Sequence, residues 1–116
     1  MAQKSGQKIE IVRGTTNNIN VAIKNGDGSA YMLGAGELVV FGVKQNYKDD
    51  ELLILKTVNS LTNGVGQFSL APEDTASLDV GKYVYDVGLK TGANYYSVIE
   101  ASDFLITANV TKWSDA

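Results

Sequence analysis

Apolar and polar residues alternate along most of this chain, and this period of two is what most limits its possible folds. In Lys82–Lys90 the odd-numbered positions are Tyr, Tyr, Val and Leu, and the even-numbered ones include two lysines and an aspartate. The same alternation is present in Asn18–Ile23 and Val65–Leu70. It is typical of strands that bury one face. We therefore expect an all-β protein.

Clusters of glycine and asparagine separate the alternating segments. Asn25–Ser29, Asn59–Gly64 and Thr91–Asn94 have the composition of turns. Between them we predict about seven strands: Ile9–Arg13, Asn18–Ile23, Leu38–Lys44, Leu52–Val58, Val65–Leu70, Lys82–Lys90, and one or two between Tyr95 and Thr111. Ala30–Leu33 is predicted as an additional short edge strand. About seven short strands with regular turns predict a two-sheet antiparallel sandwich, with a small barrel as the alternative.

Two local features interrupt the strand pattern. Pro72–Leu78 is the only stretch that looks helical, because proline suits a first helical position and the acids after it suit the positive end of a helix. Near Glu100–Ser102 the alternation slips by one residue, which indicates a β-bulge. We expect the sandwich to span 8–111, with a flexible amino terminus at 1–7 and a tail at 112–116.

The composition disfavours several function classes. The 116 residues include no cysteine and no histidine, which removes thiolate metal sites and the commonest general base. The net charge is −3 and no basic block is present, so we predict no nucleic-acid partner. No apolar run is long enough to span a bilayer, and the start lacks the apolar segment of a signal peptide. We predict no enzyme, no cofactor, no catalytic or metal-binding residue and no membrane partner, in a protein made in the cytoplasm.

A helical turn followed by Asp79, Gly81 and Tyr83 resembles the tyrosine corner of immunoglobulin-like domains. In that motif a tyrosine near the start of strand F bonds back to the chain a few residues upstream. Tyr83 would supply the hydroxyl, and Gly81 would allow a close approach. The alternative is that Tyr83 and Tyr85 are simply core aromatics. With the corner, the predicted fold is an immunoglobulin-like sandwich with one short helical turn before strand F.

Aromatic residues in or near predicted loops and ends are candidates for an interaction surface. They are Trp113, Tyr31, Tyr47 and Tyr95. Amphipathic rings suit recognition surfaces, for proteins or for carbohydrate. The alternative is ordinary packing at the sheet edges.

Five short sequence elements form a pattern that covers nearly the whole chain. They are Arg13-Gly14-Thr15, Phe41-x-Val43-Lys44, Asp74-Thr75 before Leu78, Gly81-x-Tyr83-x-Tyr85-Asp86-Val87, and Phe104-x-Ile106. This pattern resembles the immunoglobulin-like domains of phage baseplate and tail proteins, such as the amino-terminal domain of upper baseplate proteins. It is also similar to small stand-alone phage or prophage virion proteins of Firmicutes.

The resemblance implies a virion structural or adaptor protein without catalytic residues. Its expected partners are other virion proteins and a second copy of itself, and its expected location is the virion, assembled in the bacterial cytoplasm. Contact through an edge strand, either Ala30–Leu33 or the amino-terminal strand, is one hypothesis for assembly. The alternative function is a module that binds surface carbohydrate or another surface ligand.

Overall fold

Seven strands and one short helix make up the described part of the protein. The computed structural model describes residues 8–46, 48 and 51–108. The elements are β1 (Ile9–Val12), β2 (Asn17–Ala22), β3 (Glu37–Lys44), β4 (Ile54–Val58), β5 (Val65–Leu70), α1 (Pro72–Ala76), β6 (Gly81–Thr91) and β7 (Asn94–Thr107). The predicted strands and helical turn are thus confirmed, with shifts of a few residues at their ends. The first strand, for example, ends at Val12 rather than at Arg13.

The strands form two sheets that pack face to face. One sheet has the order β1-β7-β6-β3-β4, and the other consists of β2 and β5. In the larger sheet the first strand lies beside the last, and the sixth, third and fourth strands follow, while the second and fifth strands pair in the smaller sheet. This is the strand arrangement of an immunoglobulin-like sandwich, so the predicted fold class is confirmed. One pair differs from a purely antiparallel plan, because β1 runs parallel to β7.

The core lies between the sheets and is formed by the inward positions of the strands. The Phe41 ring of the larger sheet lies 5.4 Å from the Phe68 ring of the smaller one, measured between centroids. Tyr85 and Phe104 lie 5.6 and 6.3 Å from Phe41. The residues of β6 that alternate toward the core, from Tyr83 to Leu89, are all buried. The period of two therefore places one continuous aromatic and aliphatic cluster inside the sandwich.

The helix α1 joins the two sheets at one end of the core. The Asp74 carboxylate accepts a hydrogen bond from the Ala71 N–H at 2.7 Å and forms an ion pair with Lys56 of β4 at 3.0 Å. The hydroxyl of Thr75, which is completely buried, accepts a hydrogen bond from the Gly14 N–H at 2.8 Å. The connection between β1 and β2 is thereby held against the helix.

The prediction of an edge strand at Ala30–Leu33 is wrong. Only Ala30 makes a strand-like bridge, to Lys24. Beyond it the Tyr31 hydroxyl donates to the Glu37 carboxylate at 3.1 Å, and that carboxylate also accepts from the Gly34 N–H at 2.6 Å. Because these local bonds hold the segment in a loop, it does not pair with a sheet.

The predicted bulge in β7 is confirmed. Tyr85 pairs with Ser102 and Val87 pairs with Ile99, so Glu100 and one neighbour lie opposite a single residue of β6. A second irregularity follows at once, between Val87 and Gly88. Extra residues of this kind bend a strand and re-aim its side chains, and as a result both Val98 and Ile99 are buried.

Candidate interaction face

The large sheet has an outer surface that no other described element covers. We call it the outer face. It consists of residues that alternate with the core positions on β3, β4, β6 and β7, together with Leu52 from the loop before β4. Its central members are Val40, Gly42, Lys44, Leu52, Leu55, Val84, Asp86, Gly88 and Tyr95.

Two glycines in the middle of strands shape the outer face. A methyl group at Gly42 would lie 3.0 Å from a methyl carbon of Leu52, and one at Gly88 would collide with the hydroxyl end of Tyr95. Glycine inside a strand often marks such a close approach. Leu52 and Tyr95 therefore lie down against the sheet, one over each glycine.

Asp86 lies between these two side chains. It is the direct cross-strand partner of Gly42, and its carboxylate oxygen lies 3.8 Å from where a Gly42 methyl would be. Partial burial raises the pKa of Asp86, and the positive charge of Lys44 offsets part of that rise. Removal from water also raises the pKa of the Tyr95 phenol, and the charge of Asp86 adds to it. The outer face thus holds a carboxylate whose charge is incompletely solvated.

The surroundings of Asp86 are apolar and accessible to a partner. Leu55 is 54% exposed, Leu52 is 44% exposed and Tyr95 is 58% exposed. Gly42, Lys44, Leu52, Val84, Tyr85, Asp86 and Ala101 line a shallow depression in this region. Several large exposed apolar side chains on one side of a small domain are typical of a surface that contacts something else.

The opposite surface of the sandwich differs in chemistry. The outward residues of the small sheet include Asn18, Asn20, Gln67 and Ser69, which carry amide or hydroxyl groups and no charge. The Ser69 hydroxyl donates to the Asn18 side-chain oxygen at 3.0 Å across the strands. Val65 is the one large exposed apolar residue on the described strands of this sheet, so most of the apolar contact residues are on the large sheet.

The residues of the tyrosine corner lie together at the start of β6. The Tyr83 hydroxyl donates a hydrogen bond of 2.7 Å to the backbone carbonyl of Asp79, four residues upstream. Tyr83 is only 4% exposed. Its burial raises the pKa of the phenol, and the nearby Asp79 charge adds to the rise. Gly81 is the first residue of β6. Tyr83 is buried while Asp79 and Gly81 are exposed, and the hydrogen bond fixes the chain between them.

Two of the four predicted interaction residues, Tyr31 and Tyr95, lie in the described part of the chain, and they lie in different surroundings. Tyr95 is part of the outer face, whereas Tyr31 is half-buried in the loop before β3. Burial raises the pKa of the Tyr31 phenol, and its hydrogen bond to Glu37 adds to the rise. Tyr47 and Trp113 lie outside the described residues, as do the predicted flexible terminus at 1–7 and the tail at 112–116.

Most of the outer face was missed at the level of sequence. Gly42 and Gly88 interrupt otherwise good strands, and this signal could have indicated surface positions crossed by other side chains. Leu52 and Leu55 read as ordinary strand residues, because the two faces of an apolar strand look alike in sequence.

Neither a metal cluster nor a membrane helix is found in the described ranges. No group of three or more acidic, histidine or cysteine side chains is placed to hold a metal ion there. The helix in that same part of the chain is too short to cross a membrane.

Comparisons with known proteins find distant likenesses among solved structures. No protein-family model and no curated protein matches this chain. The extracellular domain of the voltage-gated sodium channel beta4 subunit, described as a parallel homodimer with a role in cell-cell adhesion, is similar over 95% of this chain and 97% of its own. The TM-score is 0.48 and the sequence identity is 13%. The fold assignment above depends on the strand order of this chain and not on that likeness.

Proposed function

We propose that this protein is a non-enzymatic structural or adaptor component of a phage or prophage particle that binds another particle protein through its outer face. The observation that carries the contact surface is the exposed apolar group of Leu52, Leu55 and Tyr95, which lies on the same face of the sheet as Asp86. The assignment to a phage particle depends on the family resemblance of the sequence. Tail, baseplate and head decoration are the positions that fit a small module of this kind.

The energetics favour a protein partner for such a surface. Covering an aliphatic side chain contributes roughly 1.5–3 kcal/mol when it becomes fully buried. Aromatic residues at the centre of an interface are often the ones whose loss costs most. Leu52, Leu55 and Tyr95 are already about half buried, so covering each contributes roughly half of that amount, and a stable complex needs further contacts to offset the cost of association.

Asp86 sets a chemical requirement on that partner. Covering the carboxylate removes its remaining water, which is unfavourable unless a cation or hydrogen-bond donors replace it. We therefore infer a partner with an apolar surface and a lysine, arginine or hydroxyl group facing Asp86. A partner with apolar groups alone at this point would bind more weakly.

The proposal is tested with purified proteins. Candidate tail, baseplate and head proteins from the same genome are each titrated against the chain by biolayer interferometry. Leu55→Glu adds a charge to the outer face, and Gln67→Glu adds the same charge to the exposed surface of the other sheet. Binding by one particle protein that falls at least tenfold with Leu55→Glu and stays unchanged with Gln67→Glu is expected. Equal effects of both variants, or no binding to any particle protein, would contradict the proposal.

Carbohydrate binding is the second candidate, because Tyr95 is an exposed ring beside a carboxylate. Rings and carboxylates on a shallow surface can hold a sugar by stacking and hydrogen bonding. Titration with host cell-wall polysaccharide separates the two functions. Saturable polysaccharide binding that is lost in Tyr95→Ala, with no binding to particle proteins, would favour the second.

A further inference from the structure

The strand β2 has one side that pairs with nothing in the part of the chain that the structure describes. The small sheet has only two strands, β2 and β5, in antiparallel register from Asn17 opposite Leu70 to Ala22 opposite Val65. Immediately after β2, the Ile23 N–H donates to the Gly64 carbonyl at 2.7 Å and continues the same register.

The direction of that bond identifies the free backbone groups. Successive residues of a strand point their N–H and C=O groups to alternate sides. Because the Ile23 N–H points toward the β5 side, the groups of Val21, Ile19 and Asn17 point there too. The N–H and C=O groups of Asn18, Asn20 and Ala22 therefore point away from β5 and form an open edge.

The edges of the large sheet carry protection that the β2 edge lacks. β1 has four residues, with Glu10 inside it and charged residues on both flanks. β4 points Lys56 inward, where it pairs with Asp74. Short length, charge and inward lysine are devices that prevent strand addition. β2, with the sequence NNINVA, has no charge, no proline and no bulge.

The inner side of β2 also leaves part of the core uncovered. Its residue Ile19 is half-buried, whereas its cross-strand partner Phe68 is only 1% exposed and Leu70 is fully buried. On the inner face of the small sheet, the apolar residue that remains accessible is thus on the β2 side, while Val65 of β5 is exposed on the outward face. A further strand beside β2 would cover it, while one beside β5 would not.

We propose that two copies of this chain associate by antiparallel pairing of their β2 strands, with the two-fold axis at Ile19. In this register Asn18 of one copy lies opposite Asn20 of the other, and the free groups of both residues face the partner strand. Each of the two Asn18–Asn20 pairs then forms two backbone hydrogen bonds. Ile19 lies opposite its own copy, where side chains are closest and extend the core. The result is a continuous four-stranded sheet.

A second copy fits this edge better than an unrelated charged segment. Asparagine amides are both donors and acceptors, so identical amides facing each other can hydrogen-bond. No like charges meet across the axis, because the strand is neutral. Two-fold contacts of this kind are self-complementary by definition. This surface is separate from the outer face, so the proposal does not depend on the function proposed above.

The test is the molar mass of the full chain by size-exclusion chromatography with light scattering, over a wide range of concentrations. A concentration-dependent dimer is expected. Replacing both Asn18→Lys and Asn20→Lys places like charges opposite each other and should weaken the dimer roughly tenfold or more. Combining Asn18→Asp with Asn20→Lys places opposite charges together and should restore it. Gln67→Lys, which adds charge on the same surface but on β5, should leave the dimer unchanged.

Several results would overturn the proposal. A full chain that stays monomeric at every concentration is one, and a dimer that the double-lysine variant leaves intact is another. Dissociation by Gln67→Lys or by Leu55→Glu would move the contact to β5 or to the outer face. A full chain that is monomeric and dimerises only after removal of residues 1–7 would assign the β2 edge to the amino-terminal segment. Circular dichroism of each variant confirms that it is folded.

Discussion

Replacing Tyr83 by phenylalanine should lower the free energy of unfolding by about 1–2 kcal/mol. The change removes only the hydroxyl, which donates to the Asp79 carbonyl at 2.7 Å from a ring that is 4% exposed. The ring keeps its packing, so no cavity forms. Asp79 itself is exposed, and water can reach its carbonyl after the change, which places the expected loss near 1 kcal/mol. For a domain of this size, that corresponds to a fall in Tm of about 4 °C.

Equilibrium denaturation in urea, followed by tryptophan or tyrosine fluorescence, measures this loss. Asp79→Ala is the matched control, because the hydrogen bond uses the backbone carbonyl and survives removal of the side chain. We expect Asp79→Ala to change the free energy of unfolding by less than half as much as Tyr83→Phe. If the two variants lose the same amount, or if Tyr83→Phe loses nothing measurable, the corner bond does not stabilise the domain as argued.

The same variant has a pH signature. The pKa of Tyr83 is raised in the folded protein, so its contribution to stability is fully present below the ordinary tyrosine pKa of about 10. That contribution is lost as the pH rises through the folded pKa. The difference between the protein and Tyr83→Phe should therefore be constant at neutral pH and should shrink in strongly alkaline buffer.

Further substitutions test other parts of the structure. Gly88→Ala should displace Tyr95 at a cost below about 1 kcal/mol, since only the far end of one flexible side chain must move, while affinity for the particle protein falls. Gly64→Ala should cost about 1–3 kcal/mol in urea denaturation, because the backbone has φ +80° and a carbonyl oxygen lies 2.8 Å from the new methyl. Thr75→Val should cost about 1–3 kcal/mol, since it leaves a buried N–H without its acceptor. Asp86→Asn should raise the free energy of unfolding at neutral pH, because the raised pKa of Asp86 means that its charged form destabilises the folded state. Below the ordinary aspartate pKa of about 3.9 the carboxyl group is protonated in both the folded and the unfolded protein, so the gain should vanish there.

The strands could be predicted from the sequence because their signal is local. Tyr83 to Leu89 alternates without a break, and the slip near Glu100 marks the bulge in β7 directly. The loop at Ala30–Leu33 was predicted wrongly because its three large residues look like a strand. The segment is kept out of a sheet by the hydrogen bond from the Tyr31 hydroxyl to the Glu37 carboxylate, six residues further along the chain. A pattern of apolar residues cannot indicate such a bond.

The pairing of strands and the composition of the outer face required the structure. The parallel contact of β1 with β7 joins Ile9 to Phe104, which are nearly the whole chain apart in sequence. The alternation of apolar residues indicates which side of a strand is buried, but it does not indicate which strand lies beside it. Leu52 and Tyr95 come from segments far apart in sequence. Leu52 packs over Gly42 of β3 and Tyr95 packs over Gly88 of β6, so the two side chains share one surface only because β3 and β6 are neighbours.

The parallel pairing of β1 with β7 has a mechanical consequence. The chain enters β1 at one end of this pair and leaves β7 at the opposite end, and the pair is extended by bonds from the Arg13 N–H and the Thr107 hydroxyl at 2.9 and 3.1 Å. A stretching force applied through the two ends of the domain therefore pulls the strands lengthwise past each other. All of the bonds between them are loaded in shear and must yield together, whereas an antiparallel terminal hairpin would open one bond at a time. This terminal pair therefore resists tension along the chain more than an antiparallel hairpin of the same length would.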